Sequence, residues 1–162
     1  MDFNEIENHL NENESLIAEL KGKNVNPFTI AKIENILVRE TVIFIQASYQ
    51  EQVIKTILTK IKNSSNNDRD IVNFFTSKVK KQQIWIADLT NILRNFNEIH
   101  ATNFDKQIKN KSEAEGYGNI LNSRITSAHN LGNNLELGSL AEVKAAHDDA
   151  KFILKTFESC MW

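Results

Sequence analysis

A single proline, Pro27, and five glycines are all the obligate turn-formers in 162 residues. A sheet protein needs a tight turn every few residues, so punctuation this sparse predicts long helices. The apolar spacing agrees. Phe3, Ile6, Leu10, Ile17 and Leu20 mark one face of a helix over residues 3 to 21, with Lys21-Gly22 as its stop. Asn26-Pro27 reads as a cap followed by proline at the first helical position, opening the longest element, about residues 27 to 62. Its cluster Val42-Ile43-Phe44-Ile45 covers most of the circumference, which predicts a central spine buried on all sides.

Beyond a polar loop, Asn63 to Asn67, Asp68 can cap a helix carrying Ile71, Val72, Phe74, Phe75 and Val79. A further helix starts near Ile84 with Trp85, Ile86, Leu89, Ile92, Leu93 and Phe96 at helical spacing. It continues after a break through Ile99, Phe104 and Ile108. These aromatics read as core rather than as a base-stacking platform, which needs exposed rings on a sheet or groove. Two capping-box spacings follow. Ser112 to Glu115 opens a helix weakened by Gly116 and Gly118, and Ser139 to Glu142 opens the closing helix, whose Leu140, Val143, Ala146, Ala150, Ile153, Leu154 and Phe157 share a face. The expected architecture is one all-α domain over residues 1–162, with residues 1–24 an acidic helix at its periphery.

The charge balance excludes a global polycation, since 19 basic residues face 21 acidic ones. It is uneven along the chain. Residues 2 to 19 hold six carboxylates and no Lys or Arg, whereas Lys55 to Lys81 holds seven basic residues against Asp68 and Asp70. The lone Cys160 rules out an internal disulfide and leaves no paired thiols for zinc or redox work. The N-terminus lacks a signal-peptide pattern and no apolar run approaches the ~20 residues that span a bilayer, so a cytoplasmic protein without a membrane partner is expected. HExxH, GK[ST] and Gly-x-Ser-x-Gly patterns are missing, so neither metal nor cofactor is expected. His9 and His147 sit beside carboxylates, where surface ion pairs are the expected role.

Chemistry shows in Asn122-Ser123-Arg124-Ile125-Thr126-Ser127-Ala128-His129-Asn130. Arginine offers a fixed cation with several donors for a phosphate, and histidine ionises near neutrality. Together they can cleave a phosphodiester without a metal. A second pair, Arg94 and His100, has similar spacing, but Leu93 and Phe96 beside it read as core positions. On a helix, a separation of five leaves Arg124 and His129 about 140° apart in azimuth and ~7.5 Å apart along the axis. That suits a composite site between two subunits better than one face of an isolated helix.

Gly118 to His129, the polar stretch after it, and the capped helix from Leu140 resemble the HEPN superfamily, whose hallmark is an Arg and a His four to six residues apart. The long helix around Val42 to Ile61 and the stretch Leu89 to Phe96 look most like its RiboL-PSP branch, extending the resemblance over roughly residues 30 to 158. The resemblance implies an antiparallel helical bundle, a homodimer, and metal-independent endoribonuclease activity in phage defence or a toxin-antitoxin system, with RNA as substrate and a neutralising protein as a further partner. It assigns catalysis to Arg124 and His129. Ile125 and Asn130 depart from the polar residue and the glycine often found there. The alternative is therefore a catalytically silent HEPN-like module that binds RNA, a nucleotide or a protein, and Ile125 is its sequence argument.

Overall fold

The computed structural model describes residues 1–63, 83–109, 111–129 and 137–162, with residues 124–129 described by backbone alone. Among them all regular structure is helical: α1 (Asn4–Gly22), α2 (Pro27–Asn63), α3 (Ile86–Phe96), α4 (Glu98–Ile108), α5 (Glu113–His129) and α6 (Leu140–Met161). The helix expected after Asp68 and the loops around residues 64–67 and 130–134 lie outside the described residues. No helix among the described residues is long and apolar enough to cross a membrane.

Local signals account for the helix ends. At the head of α2, Asn26 Oδ1 accepts the Phe28 N–H at 2.8 Å. At the tail of α1 the stop is Asn24 rather than Gly22, which is still helical. Asn24 adopts φ 53°, its N–H donates to the Lys21 carbonyl at 3.2 Å, and the Val25 N–H reaches back to the Leu20 carbonyl at 3.3 Å. This is the left-handed cap that asparagine tolerates and that glycine more often supplies. The expected break between α3 and α4 falls at Asn97, which is extended and accepts the Ile99 N–H on its side chain at 2.9 Å. Thr90 donates to Asp105 at 2.8 Å across the resulting helical hairpin.

Buried side chains from all six helices form one apolar cluster. Its hub is α6 rather than α2: the closing helix packs against each of the other five, burying Val143, Ala150, Ile153, Leu154 and Phe157. The expectation of a fully enclosed α2 is corrected. Val42 and Ile45 turn inward, but Ile43 is 47% exposed, because four consecutive β-branched or aromatic residues must point in four directions around a helix; Ile36, outside that run, is exposed as well.

The acidic N-terminal helix is not peripheral. Phe3 just before α1 and Ile6, Leu10 and Ile17 within it enter the core, and Asn13 donates to Thr41 at 2.9 Å in the buried α1–α2 seam. Its carboxylates meet the lysines of α6: Glu14 pairs with Lys144 and Glu7 with Lys151, both at 2.6 Å. The Lys151 ammonium beside Glu7 holds that carboxyl below its ordinary range. Partners more than a hundred residues away thus pair with two of the six carboxylates in a run that looks solvated in the sequence.

Candidate functional site

Both residues of the Arg/His motif fall on one helix, since α5 runs without interruption from Glu113 to His129. Their side chains, and Asn130, lie outside the described residues. What the structure defines is how α5 is held as it leads into the motif.

The helix starts at Glu113, where a capping box at Ser112 places its first residue. Ser112 donates its hydroxyl to Glu113 at 3.3 Å and meets the Glu115 N–H through its backbone carbonyl at 2.9 Å. The next turn comes very close to α6. A Cβ at Gly116 would stand 2.5 Å from Asp149 Cβ and 2.8 Å from Asp149 Cγ, so only glycine permits this approach. Burial here, followed by the neighbouring Glu113, Asp148 and Glu115 carboxylates, pushes the Asp149 carboxyl up.

Three side chains then tie α5 to its surroundings, one of its own and two from outside. Tyr117 donates its buried hydroxyl to the Ile84 carbonyl at 2.6 Å. Gln46, buried on α2, donates to the carbonyls of Ile120 at 2.7 Å and Leu121 at 3.3 Å, and Gln83 donates to Leu121 at 3.1 Å. In an α-helix these two carbonyls are the acceptors for the N–H groups of residues 124 and 125. Two glutamines thus fix the turn immediately before Arg124, using the second lone pair of carbonyls already engaged within the helix.

Beneath that turn lies a buried aromatic and polar stack. Tyr49 stacks on Tyr117 with ring centroids 6.1 Å apart and on His147 at 5.9 Å, while Phe3 meets Tyr49 and His147 edge-on. Tyr49 Oη and His147 Nδ1 are 2.7 Å apart. The surface ion pair expected of His147 is therefore corrected, because the residue is 1% exposed. Burial, followed by the nearby Lys151, pulls its pKa down to about 4, so the ring is neutral near pH 7. Burial likewise raises the Tyr49 hydroxyl, which stays protonated. With that hydroxyl donating, the imidazole proton sits on Nε2, which is buried and meets no acceptor among the described residues. The cluster is a packing anchor for α2, α5 and α6.

The competing pair is taken apart. Arg94 Nε donates to both carboxylate oxygens of Glu98, at 3.2 and 3.1 Å, and an Nη donates to Asn91 at 2.8 Å. His100 sits on α4, across the Asn97 break, so the two residues occupy different helices. Arg39 on α2 is the opposite case: its Nε is buried and meets no acceptor among the described residues.

Gln46, Gln83 and Arg39 escape a sequence reading. The one available signal is Gln46 itself, a polar residue interrupting an otherwise apolar face of α2. No family model, curated protein or solved structure matches the chain.

Proposed function

We propose that the chain is a metal-independent endoribonuclease of the HEPN type, acting as a homodimer in a defence or toxin-antitoxin setting with a neutralising protein partner. The observation that carries the reading is Arg124 and His129 on one uninterrupted helix, followed by a closing helix capped at Ser139 and Glu142. In this reading the RNA 2′-oxygen attacks the adjacent phosphorus as His129 takes its proton, and the bond to the 5′-oxygen breaks as that oxygen takes a proton from water. Arg124 stabilises the charge developing on the phosphate oxygens. The products are a 2′,3′-cyclic phosphate and a 5′-hydroxyl. Acid-base help of this kind contributes ~10² to 10⁴ in rate, and a fixed cation at the developing charge adds a comparable factor. DNA, lacking the nucleophile, is inert.

The test is RNA cleavage in EDTA by the wild type, Arg124→Ala and His129→Ala. Loss of at least about a hundredfold in both variants supports the reading; undiminished cleavage in both sinks it. Ile125 favours a second reading, a silent module that keeps the bundle and binds RNA, a nucleotide or a protein. RNA retention without cleavage by the wild type selects it.

A further inference from the structure

Helices α2 and α5 run antiparallel, a relation fixed by two contacts between described residues. Tyr49 stacks on Tyr117, and Gln46, three residues earlier on α2, reaches Ile120 and Leu121, three to four residues later on α5. Arg39 lies seven residues before Gln46. Seven residues make about two turns, so the two share a face of α2 to within about 20°, ~10.5 Å apart along the axis. The same rise along α5 from Ile120 and Leu121 ends at about residues 127 and 128, between the backbone positions of Arg124 and His129.

Arg39 is thus aimed along the α5 side of α2, level with the motif. It forms no ion pair with a carboxylate among the described residues, and its Nε has lost water without gaining an acceptor. The contrast with Arg94, satisfied by Glu98 and Asn91, is internal to the molecule. Arg39 is half-buried, so with Nε out of contact with solvent the edge left to meet two oxygens of a phosphate is the Nη pair. Lys32, a further seven residues back on the same line and exposed, extends the positive edge toward solvent.

We propose that Arg39 is a phosphate-binding residue for RNA, engaging the backbone beside the Arg124 to His129 segment. Its part in cleavage rests on the nuclease reading; its part in binding does not. The full-length chain is tested with a short single-stranded RNA of mixed sequence, as wild type, Arg39→Gln, Arg39→Lys and His129→Ala, and with Arg39→Gln added to His129→Ala for binding without turnover. Arg39→Gln is expected to cut cleavage and to weaken binding by about tenfold or more, losing one charge-assisted contact. It also lowers the slope of log affinity against log salt by about 0.7, one phosphate on a single strand. Arg39→Lys restores the slope while recovering only part of the affinity, since it keeps the charge and loses the fork.

Unchanged affinity and salt slope in a normally melting Arg39→Gln overturn the proposal, even if His129→Ala is inactive and the nuclease reading stands. If His129→Ala cleaves like the wild type, the nuclease reading falls and Arg39 is judged on affinity and slope alone. A wild type that neither binds nor cleaves RNA overturns both. A lowered melting temperature in Arg39→Gln with an unchanged salt slope assigns Arg39 to folding and also overturns the proposal.

Discussion

At His147, burial turns a common pH sensor into a proton-refusing group. Its folded pKa of about 4 lies below the ordinary ~6.5, so on acidification the unfolded chain takes up a proton that the native state declines. The stability linked to this residue is therefore complete above about pH 6.5 and drains away between there and about pH 4, by up to ~1.4 kcal/mol per pH unit. His147→Gln, which keeps a polar partner for Tyr49, should remove that component. Comparing urea unfolding of the two proteins at pH 7 and pH 4.5 checks it, and parallel pH profiles would contradict it. Two glycines on α5 make a second residue-level contrast. Gly118→Ala meets nothing within 4 Å and should stabilise by about 0.5–1 kcal/mol through helix propensity. Gly116→Ala gains the same propensity but drives a methyl into Asp149; overpacking costs about 1–3 kcal/mol and should win. Denaturation midpoints should move in opposite directions.

At the scale of elements, α6 carries a capping box in which Ser139 Oγ accepts the Glu142 N–H at 3.3 Å and Glu142 accepts the Ser139 N–H at 3.0 Å. The matching pattern at Ser112 leaves its hydroxyl on the Glu113 carboxylate instead. Ser139→Ala should therefore cost about 1 kcal/mol in urea unfolding, and Ser112→Ala should stay within about 0.5 kcal/mol. These two sites also show what the sequence makes legible. Asn26 and Ser139 act on N–H groups two and three residues away, so composition and spacing suffice to find them. His147 and Gln46 resist because their partners stand 98 and 74 residues distant, and nothing local distinguishes a buried histidine from one on a charged helix face. The candidate site divides the same way: the motif's placement on a helix is readable from residues 112 to 129, whereas the glutamine grip on α5 exists only once α2 has folded against it.

For the molecule as a whole, the joint between α1 and the rest mixes core burial with lysine–carboxylate pairs, and the two differ in worth. Leu10 is fully buried, so Leu10→Ala should cost about 2–5 kcal/mol. Lys144 and Glu14 remain partly exposed, so Lys144→Ala should cost no more than about 1 kcal/mol. Calorimetric unfolding of the two variants decides whether apolar contact or charge attaches the acidic helix. The grip of Gln46 and Gln83 on Ile120 and Leu121 sets up a lever. From Leu121 to His129 the arm is ~12 Å long, so a tilt of about 5° at the fulcrum swings its far end by about 1 Å. A misplacement of that size can cost a hundredfold in rate, while each of the two hydrogen bonds lost with Gln46 costs about 0.5–1.5 kcal/mol. Under the nuclease reading proposed above, Gln46→Leu should leave a folded protein whose defect is one of aim: a modest fall in melting temperature, and a turnover that falls out of proportion to it.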